Sequence, residues 1–217
     1  MYQIWGVSRS LTLFGFLCGV IFLVLLVLAP PEHGSFLAWW SLAAKSVSVA
    51  GLLVWLMGAT PLFPLLCKLP YLRRWFPPIE GEWAAALESN WPAIGTRSQP
   101  AQSEVLLAPV HASVTIIARL FFIRMNLAAT DRYSTSKTIF VHAERDPHDG
   151  SVSLHYVYRN TTLDPRPTDS AFHLGAACLT IEGKDDDIWL EGVYWTNRNW
   201  RRGLNTAGKI TLRRAAG

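Results

Sequence analysis

The uncharged run 11-LTLFGFLCGVIFLVLLVLA-29 limits what this chain can fold into more than any other feature. Nineteen such residues are enough to cross a bilayer as one helix, where every backbone polar group must find its partner inside the segment. Pro30 and Pro31 end the run. A cleaved signal peptide is the alternative. However, Ala29-Pro-Pro is a poor cleavage site, Arg9 is the lone basic residue ahead of the run, and a second apolar stretch follows from about Phe36 to Leu66. That stretch exceeds one span; its best central window is Ser46 to Ala59, and Pro61 and Pro64 break or kink its exit. Two transmembrane helices are expected, about 11–29 and about 38–62, within a membrane region of residues 1–76.

Charge sets the orientation. Residues 1–70 carry only Arg9, Glu32, Lys45 and Lys68. Arg9 precedes the first span and Lys68, Arg73 and Arg74 follow the second, while the connecting loop offers Glu32 and His33. The asymmetry places both termini in the cytoplasm of a multi-pass membrane protein. Trp39, Trp40, Tyr71 and Trp75 are candidate interface anchors. Lys45 falls inside the second span if that helix begins near Phe36; it then either snorkels to the interface or makes a polar contact within an oligomer or a water-filled path. The small residues Ser41, Ala44, Ser48 and Gly51 permit close approach of helices.

From Pro77 onward the period changes to two, and residues 77–217 read as a separate, water-facing domain. From Gly81 the chain holds 15 basic and 14 acidic side chains, so it is no polycation. Cys18, Cys67 and Cys178 form neither a disulfide framework nor a metal-binding spacing. In 79-IEGEW-83, Ile79, Gly81 and Trp83 share one face. Residues 89–103 form a polar loop, and 104–129 alternate as strand with a break near Pro109. Further strands are expected at 135–144, 151–160, 171–183, 187–196 and 208–214, separated by 146-DPHDG-150, 164-DPRPTD-169 and 183-GKDD-186, which are strong turn signals. About eight short strands with almost no amphipathic helix mean an antiparallel barrel or sandwich, which patterning alone does not separate.

No catalytic motif is present: G-x-S-x-G, Walker A, H-E-x-x-H and C-x-x-C are all missing. His142, His155 and His173 lie in strands without compact ligand spacing, and Asp185, Asp186 and Asp187 read as a solvated turn, so neither a catalytic nor a metal site is assigned. What remains is a vocabulary of binding. Tyr133, Ser134, Thr135 and Ser136 precede a strand, Tyr156 and Tyr158 share a face, and Tyr194, Thr196 and Arg198 share another. Hydroxyls and arginine forks bond phosphates, and aromatic rings offer stacking surfaces. The same alternation also serves ordinary strand packing. A membrane-anchored lipocalin-like carrier of an apolar ligand and a tethered protein-interaction module stay open on residues alone.

The order of 77-PPIEGEW-83, 133-YSTSKT-138, 154-LHYVYRN-160, 173-HLGAACLTI-181, 190-LEGVYWTNRNWRRG-203 and 208-GKITLRR-214 behind two spans resembles a known family. It is that of the CD-NTase-associated, two-transmembrane β-barrel effectors of bacterial cyclic-oligonucleotide-based anti-phage signalling (CBASS). The resemblance implies two N-terminal transmembrane helices followed by an all-β, roughly eight-stranded antiparallel closed barrel. It implies no enzyme and no cofactor. Instead, a cyclic dinucleotide from a partner nucleotidyltransferase activates a homo-oligomer in the inner membrane, disrupts the bilayer and aborts infection; polymeric nucleic acid is not a partner. It further implies that Arg198 recognises phosphate together with Thr196, that Ser134 and Ser136 make polar contacts, and that Trp83 with Tyr156 or Tyr158 lines the barrel or its mouth. The stretch 199-NWRRGLN-205 departs from the family pattern by lengthening the last hairpin loop.

Overall fold

A computed structural model describes residues 1–31, 35–95, 109–130, 134–165, 170–184 and 187–215. Helix α1 runs Val7–Leu28 and α2 runs Phe36–Ala59. At the standard rise their lengths are about 33 and 36 Å, enough to cross a bilayer. No residue of α1 is buried, and Phe16, Leu23 and Val27 are all more than half exposed. Such a surface is tenable in lipid and not in water. The first helix starts one turn earlier than the expected 11–29. Ser10 and Thr12 donate their hydroxyls back to the carbonyls of Gly6 and Ser8, so these polar side chains are satisfied within the helix. Ser35 caps α2 by accepting from the Ala38 amide at 3.3 Å. Because α2 begins at Phe36, Lys45 lies within it and is exposed. The buried face of α2 is Leu42, Ser46, Ala50 and Gly58; Ser41, Ala44 and Ser48 point outward.

Two short helices, α3 (Leu62–Leu66) and α4 (Pro70–Arg73), lead to the strands. These are β1 (Gly81–Ser89), β2 (Val110–Ala118), β3 (Ile123–Ala129), β4 (Ser134–Arg145), β5 (Val152–Thr162), β6 (Phe172–Lys184), β7 (Asp187–Thr196) and β8 (Ala207–Arg214). Each pairs antiparallel with its sequence neighbour, and β1 pairs with β8 from Trp83↔Arg214 to Ser89↔Gly208, closing an eight-stranded barrel among the described residues. Closure leaves no free sheet edge at the ends of the strand order.

Alternation decides the interior. Ala112, Val114, Ile116 and Ala118 of β2 face in, as do Trp83 and Ala85 of β1. On β4 the register shifts between Thr138 and Phe140, so Ser134, Ser136 and Thr138 share the interior with Val141 and Ala143 of opposite parity. Ile139 and Phe140 both face out, as a β-bulge requires. The expected unbroken pattern across 110–129 is instead a hairpin, with Arg119 N donating to Phe122 O at 2.8 Å. Its turn, Leu120-Phe121-Phe122, carries no turn residue and faces the helices: the Phe121 ring lies against Gly58 at the end of α2, though it stays partly exposed. Trp91–Gly95, expected as loop, forms the short helix α5. Residues 104–108, Tyr133, Asp185 and Asp186 lie outside the described residues.

The end of the barrel formed by Gly81, Ala118, Ile123 and Arg145 rests on the helices. Tyr2 N donates to Leu120 O at 2.9 Å, and Gln3 Oε1 accepts from Ala143 N at 2.9 Å. Met1, Ile4, Phe63, Cys67, Phe76 and Ile79 join Trp83 in one buried cluster that fills this end. A side chain added at Gly58 would meet the Phe121 ring. Gly58→Val is therefore expected to lower stability by about 1–3 kcal/mol through overpacking. Gly58→Val with Phe121→Ala should recover part of that loss, as read by thermal unfolding of the full chain in detergent.

Candidate functional site

The other end of the barrel is open. Inward-facing side chains change character along the axis. On β5 they run Val152, Leu154, Tyr156, Tyr158, Asn160 and Thr162, and on β7 Ile188, Leu190, Tyr194 and Thr196. A cavity of about 290 Å³ begins where the aliphatic floor of Val114, Met125 and Leu212 gives way to tyrosines and then hydroxyls. Ser134, Ser136 and Thr138 enter from β4, Thr206 from the segment before β8, and Trp91 from α5, with Arg198 just past the end of β7.

The polar wall is pre-assembled. Asn160 Nδ2 donates to Ser136 Oγ at 2.9 Å, and Thr162 Oγ1 donates to Asn160 Oδ1 at 3.3 Å. The Thr196 and Thr206 hydroxyls lie 2.9 Å apart, and Thr196 Oγ1 also accepts from Thr206 N at 3.1 Å and from Arg198 N at 3.4 Å. Thr138 Oγ1 accepts from Met125 N at 2.9 Å and donates to Met125 O at 3.3 Å, bridging β3 to β4 through a side chain. Tyr156 and Tyr158 have ring centroids 6.0 Å apart. Tyr158 lies over Gly175, where any Cβ would collide with its phenol.

The electrostatics favour an anion. Arg198 lines the cavity with its guanidinium 4.3 Å above the Trp91 ring, and no carboxylate is found among the described lining residues. Burial, with Coulomb repulsion between neighbouring phenols, holds Tyr156 and Tyr158 well above the usual phenol range. Tyr194 is also raised by burial, while a hydrogen bond with Ser89 and the Arg198 charge pull it down. The tyrosines therefore stay protonated and offer O–H donors. One guanidinium, three phenols and a wall of hydroxyls suit a compact, aromatic, negatively charged ligand of a size near the lower edge of small-molecule pockets, ~300 Å³.

Six of the seven residues singled out in sequence, Arg198, Thr196, Ser134, Ser136, Tyr156 and Tyr158, line this cavity. Trp83 does not. It is 1% exposed at the membrane-side end, its Nε1 donating to Ile79 O at 3.0 Å and its ring 4.3 Å from the Arg214 guanidinium. Asn160, Thr162 and Tyr194 were readable, since they continue the inward parity of Tyr158 and Thr196. Trp91 and Thr206 come from outside the strands, where alternation gives no signal. His142 and His155 face each other across β4 and β5 on the outer wall, whereas His173 lines the cavity, so the three do not converge.

Residues 75–214 match the family model described as Cap15, cyclic dinucleotide receptor domain. The chain is also similar to CD-NTase-associated protein 15 of Escherichia albertii, with 34% identity over 148 residues, a stretch that spans 66% of each chain.

Raised phenol and thiol pKa values make stability fall with alkalinity. The folded state keeps protons that the unfolded chain releases, so the contribution is complete below the unfolded pKa and is lost as pH rises. Burial pushes the Cys67 thiol up from 9.0 to about 12, and the tyrosines start from 10.0. Stability is expected to decline above pH 9 and more steeply above pH 10. Tyr156→Phe should flatten the second phase, as measured by denaturant unfolding across that range.

Proposed function

This chain belongs to the family of the Cap15 cyclic dinucleotide receptor domain, and from that premise we propose a membrane-anchored sensor whose ligand sits in the open end of the barrel. The observation that carries the reading is convergence. A guanidinium, three tyrosines and a hydrogen-bonded set of hydroxyls and Asn160 meet in one cavity with no carboxylate among its described lining residues. A cyclic dinucleotide brings two phosphodiester charges and two flat bases. Arg198 suits a phosphate, Ser134, Ser136 and Thr196 suit phosphate or sugar oxygens, and Tyr156, Tyr158 and Trp91 offer faces to the bases. An apolar cargo would enclose the Arg198 charge and the tyrosine O–H groups away from water while offering them no bond in return, which disfavours the lipocalin-like alternative.

The name of the E. albertii relative points to a partner nucleotidyltransferase as the source of the ligand. The barrel and the start of α1 lie at the same end of the helical pair, since Tyr2 and Gln3 bond to the barrel's strands and turn. With Arg9, Lys68, Arg73 and Arg74 flanking the spans, this supports a cytoplasmic barrel on a multi-pass inner-membrane anchor. Binding then drives assembly of protomers, and the concentrated spans disorder the bilayer, aborting infection. The ligand achieves this only by binding the assembled state more tightly than the single protomer. The role is that of a receptor, with no reaction step.

Titration of the detergent-solubilised full chain with a panel of cyclic dinucleotides tests the reading. At least one member should bind. Arg198→Ala should weaken that binding about ten- to hundredfold, the range for a charge-assisted hydrogen bond, and Arg198→Lys should recover only part of it. Growth arrest on co-expression with the matching synthase should be lost with the same substitution. A folded chain that binds no member of the panel would sink the sensor reading.

A further inference from the structure

The barrel wall has one weak seam. Among the described residues, strands β3 and β4 are paired only over Asn126↔Lys137, Leu127↔Ser136 and Ala128↔Thr135, far fewer positions than the eleven pairs between β4 and β5. Towards the membrane the two strands part, and the Thr138 hydroxyl replaces the missing ladder at Met125. The parting opens a groove of about 590 Å³ on the outer wall. Its apolar lining includes Phe121, Ile139 and Phe140, exposed by 43%, 58% and 56%. Its charged lining is Arg124 and Lys137, both exposed, with no carboxylate among the described lining residues.

The position of the groove selects its occupant. Gln3, three residues from the sequence start and just ahead of α1, forms part of it, and Phe121 at its lower edge packs on Gly58, one residue before the end of α2. The groove therefore begins where both candidate spans meet the barrel, at headgroup depth. Two cations above an apolar slot that opens onto the bilayer complement an amphipathic anion.

We infer that this seam seats one anionic phospholipid of the surrounding bilayer. Arg124 and Lys137 hold its phosphate, while Phe121, Ile139 and Phe140 receive the glycerol and first acyl carbons. The site stands apart from the ligand-binding reading: Arg124 and Lys137 lie outside the cavity.

The test is lipid retention by the full chain in nanodiscs of mixed phosphatidylglycerol and phosphatidylcholine, read by native mass spectrometry after transfer to detergent. The wild type should retain phosphatidylglycerol selectively at a ratio near one per protomer. Arg124→Gln with Lys137→Gln should lower that retention on the order of tenfold or more, whereas Arg201→Gln at the far end of the barrel should leave it unchanged. Arg124→Lys should keep most of it, and a circular dichroism spectrum equal to wild type establishes that each variant is folded. Equal retention of both lipids, an unchanged double variant, or an equal loss with Arg201→Gln would each overturn the inference. So would phosphatidylglycerol displaced by a second copy of the chain at this face.

Discussion

Two arginine forks at the membrane-side end of the barrel fix everything else in place. Arg145, at the end of β4, donates to the carbonyls of Arg74 and Trp75 at 2.9 and 3.1 Å and to Gly150 O at 3.0 Å. Arg214, at the end of β8, donates to Glu80 O at 2.6 Å and also to Pro78 O. Arg119 pairs with Glu80, whose carboxylate accepts from Ala118 N as well. The linker between helix and barrel contains Pro77 and Pro78, which have no N–H to offer a sheet, so its carbonyls need donors from elsewhere. Charged guanidiniums supply them, and Trp75 and Trp83 lie against the same two groups at 5.4 and 4.3 Å. With the linker pinned, Phe76, Ile79 and Trp83 are drawn into the barrel as a stopper.

The stopper accounts for the polarity gradient. An eight-stranded barrel has room for its own side chains and little more. Here the membrane-side half is filled by aliphatic residues and Trp83, so space is left at the far end alone, where Tyr156, Tyr158, Asn160 and Thr162 continue the inward face of β5. Buried hydroxyls and an amide are tolerated there because they bond one another: Asn160 to Ser136, and Thr196 to Thr206. A wall satisfied in this way is organised before any ligand arrives, which reduces what ordering costs on binding.

Much of this was legible in the sequence, and the gaps have physical causes. Strand positions from β4 to β8 follow from period-two alternation bounded by Gly, Pro and Asp, and the cavity residues Tyr156, Tyr158 and Thr196 follow from parity. Trp83 shared an inward face as expected, but sequence carries no coordinate along the barrel axis. Its depth is set by the linker and by the Ile79 carbonyl that accepts its indole N–H. The β2–β3 turn was invisible because 120-LFF-122 carries no turn residue and faces the helices. The β4 bulge was hidden for a related reason: 139-IF-140 reads as a buried apolar pair, yet both side chains line the outer groove.

The open cavity and the two long apolar helices thus lie at opposite ends of a closed, internally packed body. An eleven-residue strand such as β5 extends over roughly 35 Å, and a close-packed core with complete ladders deforms little over that length. Lever-like transmission along the strands is correspondingly disfavoured, and assembly of neighbouring protomers through altered far-end surfaces is the simpler route for the proposed signal. The seam between β3 and β4 is the exception in the wall. Met125 and Thr138 line both the cavity and the outer groove, so a single layer of side chains separates an occupant of one from an occupant of the other. An occupant of the cavity pressing on Thr138 would act on the strand pair with the shortest ladder among the described residues, so the least costly path for coupling across the wall lies there.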